Sequence, residues 1–291
     1  MLLSYYLGLG EKDLANRFGE IGIEVEVEGR NLPGSDPKRQ WRIVREGSLR
    51  GEGLEYNSIH PMPVELVQTK VEYLWGLFRN NNSTLRKSDR CGVHVHINCQ
   101  DMTLSQVHIF QLTYLLLEDL LFRFCDDSRD GNLFCMKVSD SSDLLFRIRD
   151  SISNNSFDQL NVGHIRYSAM NISSLFKYGS LEFRQLETPT QNPKKIVDWA
   201  KILYNIKEAS LRYRSRMDLL NDITRIGEDE FLKKIFPPEL YKKVCNKDQE
   251  EVINESMKLM YYLFFVKRGE KKTKKKNPIR SDPVLVGRLT S

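Results

Sequence analysis

Between Glu20 and Glu28 the chain reads Glu-Ile-Gly-Ile-Glu-Val-Glu-Val-Glu, a period-two alternation that predicts a strand with one apolar and one acidic face. Gly29 ends it. A polar stretch with Pro33, Gly34 and Pro37 reads as a loop, and residues 41–45 and 53–57 as two short strands. The period then changes. Leu66, Val71, Leu74, Trp75 and Phe78 recur at helical spacing behind Pro63, predicting a helix over 64–78. Residues 92–98 alternate again, and a helix over 104–124 follows, with Thr103 as its cap. Residues 126–158, rich in Asp, Ser and Asn, predict loops and a short helix. Two further strands are expected over 164–172 and 180–186, separated by the turn residues of 173–179. Pro193 opens a helix predicted to end near Arg216, and 231–236 and 252–265 are the segments of the charged C-terminal region most suited to packing. Without an internal repeat, this order predicts an α+β fold with a largely antiparallel sheet.

Composition changes this picture little. The 291 residues suffice for one large domain with a terminal elaboration. The longest apolar stretch, around Leu115–Leu117 and Leu120–Phe122, is broken by Glu118 and Asp119, so no membrane span is expected. The N-terminal residues Met-Leu-Leu-Ser-Tyr-Tyr lack a basic leader region, and five scattered cysteines do not form a disulfide framework. Both features point to a cytoplasmic protein. The net charge of +5 resides at one end: from Lys267 onward there are nine basic and two acidic residues, leaving 35 basic against 37 acidic upstream. A nucleic-acid partner is therefore expected only through this tail, at Lys271, Lys272, Lys274, Lys275 and Lys276; the plainer reading is a solubilising segment.

Three strand faces carry candidate chemistry. Glu24, Glu26 and Glu28 share one face at about 6.5–7 Å spacing, where two carboxylates repel by roughly 2.4 kcal/mol at an effective dielectric near 20. Water on an edge strand could offset this, and so could a divalent cation. In the second strand, Cys91-Gly92-Val93-His94-Val95-His96-Ile97-Asn98, the face holds His94, His96 and Asn98. The histidines suit metal ligation or a hydrogen-bonded core pair. Zinc held with Cys91 and Cys99 is disfavoured, because a regular strand turns both thiols to the opposite face. In the third, Ser180-Leu181-Glu182-Phe183-Arg184, Glu182 and Arg184 face together, as they would in a simple salt bridge.

These elements occur in one chain with Gly47-Ser48-Leu49 and Leu54-Glu55-Tyr56-Asn57-Ser58, and with Arg166-Tyr167-Ser168-Ala169-Met170-Asn171. In this combination and order, over residues 18–199, the sequence resembles the amidoligases, members of the glutamine synthetase and glutamate-cysteine ligase superfamily of carboxylate-amine ligases. The resemblance implies a glutamine-synthetase-like catalytic fold: a curved, mostly antiparallel sheet backed by helices, with a helical C-terminal region. Its expected cofactors are ATP and Mg²⁺ or Mn²⁺. It implies Glu24, Glu26, Glu55, His94 and Glu182 as metal ligands, with Glu52 competing for the role of Glu55. Arg184 and Arg166 are implied as partners of the transferred phosphoryl group or an anionic substrate, and His96 and Asn171 as orienting groups at the nucleotide site. The implied reaction passes the γ-phosphoryl group of ATP to a carboxylate, and an amine, from an amino acid, peptide or polyamine, then attacks the acyl phosphate. Two positions depart from the family pattern: Glu46 stands where Asp is usual before Gly47-Ser48-Leu49, and Glu187-Thr188-Pro189 replaces a Gly-Thr pair.

The expected organisation is a catalytic domain over 1–216, a helical extension over 217–266 and a basic tail over 267–291. Three other functions stay open on the residues: phosphoryl transfer to a guanidine-like nitrogen on the same fold, a nucleic-acid-associated module with an inactive site, and a metal hydrolase working without ATP. Oligomeric state is not legible.

Overall fold

The computed structural model describes residues 1–9, 19–245 and 249–264. The elements, in chain order, begin with a short α1 (Leu3–Tyr6), β1 (Ile21–Arg30), β2 (Trp41–Val44), β3 (Leu54–Ser58), α2 (Val67–Asn80) and β4 (Thr84–Arg86). Then come β5 (Gly92–Asn98), α3 (Leu104–Phe124), α4 (Ser142–Asn154), β6 (Met170–Asn171), α5 (Ser174–Tyr178) and β7 (Ser180–Glu187). The helices α6 (Lys194–Ser210), α7 (Arg216–Ile226), α8 (Glu228–Ile235), α9 (Pro238–Val244) and α10 (Gln249–Phe264) complete the series. The strands form one sheet in the order β2-β3-β1-β5-β7-β6, with β4 paired separately to the end of β1, and every strand pairing is antiparallel. The mixed architecture and antiparallel sheet expected from the alternation are present.

The two faces of this sheet follow from the alternation. Ile23, Val25 and Val27 of β1, Val93, Val95 and Ile97 of β5, and Leu181 and Phe183 of β7 are buried on the apolar face. Helix α3 lies against them, with the rings of Phe110 and Tyr114 5.7 and 5.0 Å from that of Phe183. Tyr56 of β3 meets Phe78 of α2 edge-on at 5.1 Å. Sixteen of the 21 residues of α3 are buried, as its apolar majority requires. It starts in a full capping box: Gln106 N donates to Thr103 Oγ1, and Thr103 N to Gln106 Oε1. The opposite sheet face carries the polar set.

The chain departs from its periodicity in three places. A strand over 164–172 is expected, but a 3-10 turn (Gly163–Tyr167) and the two-residue β6 occupy this stretch. Local side-chain bonds compete with the ladder there: Ser168 Oγ donates to Met170 O at 2.8 Å, and Asn171 Oδ1 accepts from Ser173 N at 3.1 Å. The helix expected to run to Arg216 stops at Ser210, because Ser215 and Asp218 form a second capping box that starts α7. The loop-rich region 126–158 contains a full helix, α4, capped by Ser141 and ended by Asn155 at φ 48°. The packed segments Phe231–Phe236 and Val252–Phe264 are buried along one side as expected. Phe265 and the lysine-rich tail lie outside the described residues.

Helices α3 and α4 meet at His108, whose Nε2 lies 2.9 Å from Ser151 Oγ and whose ring packs on Phe157. Burial, aided by the charge of Arg216, pushes its pKa from 6.5 down to about 3. The unfolded chain then takes up this proton first, so stability is lost as pH falls from about 6.5 towards 3. Denaturant midpoints measured between pH 7 and 5 should fall for the parent chain, and His108→Gln should flatten that limb.

Candidate active site

Antiparallel pairing converts three separate motifs into one polar surface. Glu26 of β1 stands directly opposite Glu55 of β3, and Glu24 lies between Asn57 of β3 and His94 of β5. One step along, Gly22, His96, Glu182 and Asn171 form a row across β1, β5, β7 and β6. Directly paired residues point to the same side, and residues two apart repeat that side, so these rows make one patch.

His94 is its hub. Nδ1 lies 3.2 Å from Glu24 Oε2, 3.6 Å from Glu182 Oε1 and 3.3 Å from Arg184 Nη1, and Nε2 lies 3.5 Å from Glu26 Oε2. Gly92 makes this convergence possible, since a Cβ there would sit 3.0 Å from Arg129 Nη2 and 3.3 Å from His94 Nε2. The Gly92 amide also donates to Glu26 Oε2 at 2.9 Å. His96 approaches Glu24 from the other side, with Nε2 3.3 Å from Glu24 Oε1 and Nδ1 beside the hydroxyls of Ser180 and Ser174. Asn171 Nδ2 donates to Glu182 Oε2 at 2.7 Å, and Arg184 ion-pairs with Glu182.

Charge is unevenly compensated. Burial opposes ionisation of Glu24, yet its contacts with the His94 and His96 imidazoles outweigh it and hold the carboxyl well below its usual range. For Glu182 burial is likewise overcome, by the charges of His96, Arg184 and His94. Glu55 moves the other way: burial and then the Glu24 charge raise it, with the hydrogen bond from Asn57 too weak to compensate. His96 is raised despite burial, by Glu24 and Glu182.

The donors suit a metal ion. One atom each from Glu24, His96 and Glu182 lie within 4.8 Å of one another. Ligands on opposite sides of Mg²⁺ stand about 4.2 Å apart, so a small side-chain rotation brings the three to one ion. His96 Nε2 is buried and makes no well-formed hydrogen bond, despite the proximity of Glu24. Sequence reasoning gave His96 an orienting role and His94 the ligand role; in the structure the three-atom group closes on His96, while His94 sits among Glu24, Glu26, Glu182 and Arg184. Glu28 shares the strand but leaves the cluster, taken up by Arg86 at 2.5 Å and Arg50 N at 2.7 Å. Glu52 is exposed in a turn, away from the strand position of Glu55. Cys91 and Cys99 are buried, with burial pushing both thiols up to about 12, and neither belongs to the group.

Comparison with known proteins bears on this surface. Residues 35–204 match the family model described as "Putative amidoligase enzyme". The chain belongs to the amidoligase family. The matched segment holds Glu55, His94, His96, Glu182 and Arg184, and β1 brings Glu24 and Glu26 to the same cluster from outside that segment by strand pairing. No curated protein matches the chain. Among solved structures, a bifunctional glutathione synthetase from Pasteurella multocida is similar at 10% identity and a TM-score of 0.44, over 87% of this chain and 48% of that one. The chain thus spans about half the length of that protein, and a likeness this distant carries no argument about the fold or activity of the amidoligase.

Arg166 stands at the rim, exposed, its guanidinium bonded to the Tyr167 hydroxyl and stacked 4.6 Å from that ring. Tyr167 packs on Phe134, whose carbonyl accepts from Arg184 Nε at 3.3 Å. Arg184 itself is aimed by a bulge: Val93 pairs with Leu186 but Val95 with Phe183, so β7 spends three residues against two of β5. Arg129, 1% exposed, staples that bulge, donating to Arg184 O at 2.8 Å, Gln185 O at 3.0 Å and Asp89 O at 3.2 Å. Sequence reasoning missed Arg129, which sits in an Asp- and Ser-rich stretch with no local signal of burial. Arg129→Met should remove this donor from the Arg184 and Gln185 carbonyls, while Asp89 O keeps Asn132 Nδ2 at 2.8 Å, at a cost of about 2 kcal/mol in chemical denaturation.

Proposed function

We propose that this amidoligase is an ATP-dependent carboxylate-amine ligase that forms an amide through an acyl phosphate and releases ADP and phosphate. The observation that carries this reading is the convergence of Glu24, His96 and Glu182 at the spacing of one ion's ligands, flanked by Glu26, Glu55, His94 and Arg184. Hard oxygen donors with imidazole suit Mg²⁺ or Mn²⁺, and the excess of carboxylates over fixed cations and the unsatisfied His96 Nε2 are what such a group of ions would resolve. When bound, the ions supply neutralisation of charge on the phosphates of ATP.

The chain's own residues do the rest. Glu24, Glu182 and His96, with Glu26, Glu55 and His94 around them, hold the ions; Asn171 and the hydroxyls of Ser174 and Ser180 fix Glu182 and His96 in place. Arg184 lies against Glu182 and His94 with its raised pKa keeping it charged, in position to receive negative charge that develops on the transferring phosphoryl group. Arg166 serves an anionic group at the rim. The carboxylate oxygen forms a bond to the γ-phosphorus as the β–γ bridge breaks; the amine nitrogen then bonds to the acyl carbon as the phosphate leaves, and the amine loses its proton. An antiparallel sheet with helices on its apolar face and a polar cluster on the other is the arrangement expected of a glutamine-synthetase-like catalytic fold, and on this reading residues 1–216 are its catalytic domain and 217–266 a helical extension of it.

Incubation with ATP, Mg²⁺ and pooled amino acids, polyamines and short peptides should yield ADP with new masses one water smaller than the summed reactants. Glu24→Gln and Glu182→Gln should each lower turnover at least a hundredfold while retaining the folded far-ultraviolet spectrum. A phosphorylated nitrogen compound in place of an amide would convert the reading to a phosphotransferase, and turnover without ATP would convert it to a hydrolase.

A further inference from the structure

A pocket of about 530 Å³ opens at one end of the polar face, with Glu24 and His96 in its lining, and the chemistry of its walls is uneven. Asn57 and Gln100 line it, are 7% and 3% exposed, and each carries a side-chain carbonyl oxygen without a hydrogen-bond partner among the described residues. The orientation of both amides is fixed by their other end: Asn57 Nδ2 donates to Glu55 Oε1 at 2.6 Å, and Gln100 Nε2 to Tyr178 O at 3.0 Å. Each oxygen is therefore an acceptor in need of a donor. Gly179, at φ +67°, keeps Gln100 there, since a Cβ would fall 2.4 Å from Gln100 Cγ.

The mouth has the opposite character. Arg42, on the outer strand β2, and Lys177, at the end of α5, are both exposed pocket residues with no carboxylate within ion-pair distance among the described residues. They approach along the polar face from opposite flanks, one beyond β3 and the other from the helix before β7. Between them the exposed Tyr178 and Ile59 offer apolar walls.

We propose that this pocket holds the amine substrate of the ligase and that this substrate is an α-amino acid, its ammonium directed to the free carbonyls of Asn57 and Gln100, its carboxylate to Arg42 and Lys177. The assignment of the pocket to the ligase's amine rests on the function proposed above; its selectivity for a zwitterion rests on the lining alone. An ammonium is a three-fold donor and satisfies acceptors that a second carboxylate would leave unpaired. A polyamine meets two cations at the mouth, which disfavour it. Ammonia would leave most of the volume unfilled. The side chain of the amino acid lies between Tyr178 and Ile59.

Binding to the full-length protein, measured by calorimetry and saturation-transfer NMR with Mg²⁺ and the β,γ-methylene analogue of ATP, tests this. The probes are the twenty amino acids singly, the amide of the tightest binder, its deaminated acid, and spermidine. One or more amino acids should bind, and loss of either charged group should weaken binding at least tenfold. Arg42→Gln and Lys177→Gln, both at exposed positions, should each weaken amino-acid binding five- to tenfold and leave the nucleotide affinity within twofold. Failure of every amino acid with the nucleotide bound would overturn the proposal and leave the ligase reading standing. Tighter binding of spermidine, or loss of nucleotide affinity in the two variants, would overturn it in favour of a polyamine or of the nucleotide itself. Zwitterion binding without nucleotide binding would keep the pocket's selectivity and remove the ligase reading.

Discussion

Placing Glu24, Glu26, Glu55 and Glu182 on one sheet face gathers negative charge that nothing in a β-ladder requires. Glu26 and Glu55 are direct cross-strand partners, an arrangement that destabilises a sheet when both are ionised. The surrounding structure offsets part of this. His94 touches three of the carboxylates' oxygens and a guanidinium, Arg184 pairs with Glu182, and the Gly92 amide is donated to Glu26. What remains is a partly buried acidic surface with Glu55 pushed towards its neutral form, and that residue of uncompensated charge is the physical basis for the cation site proposed here.

Much of the scaffold exists to hold this arrangement. Helix α3 supports the apolar face under the strands and also reaches the rim, because buried Glu118 accepts from Val138 N and Ser139 N at 2.8 and 2.9 Å and anchors the loop that carries Phe134. Phe134 O in turn positions Arg184, which Arg129 fixes from behind through the bulge of β7. Arg184 is thus oriented by two buried side chains acting through the main chain: Arg129 donates to the Arg184 carbonyl, and Glu118 accepts from the Val138 and Ser139 amides.

The sheet was legible because alternation is a local signal: Ile23, Val25 and Val27 against Glu24, Glu26 and Glu28 state which face is which before any partner strand is known. So was α3, whose cap Thr103 and apolar body are contiguous in sequence. Register was not legible. Nothing local says that Glu24 pairs with His94 and Glu26 with Glu55, or that Glu28, identical in pattern, is withdrawn from the cluster by Arg86. The same limit explains the exchange of emphasis between His94 and His96, which share a face and differ only in which carboxylates lie across from them. Residues 164–172 misled for a different reason, since Ser168 and Asn171 satisfy the backbone through their own side chains and leave a two-residue strand.

The central claim is that Glu24, His96 and Glu182 hold a divalent cation. The most direct test is anomalous diffraction from crystals of the full-length protein grown with Mn²⁺ and a non-hydrolysable ATP analogue. The account predicts an anomalous peak coordinated by Glu24, His96 and Glu182, lost in crystals of Glu182→Gln. An ordered, fully formed cluster with no peak between these side chains, or manganese bound only elsewhere on the chain, would contradict it.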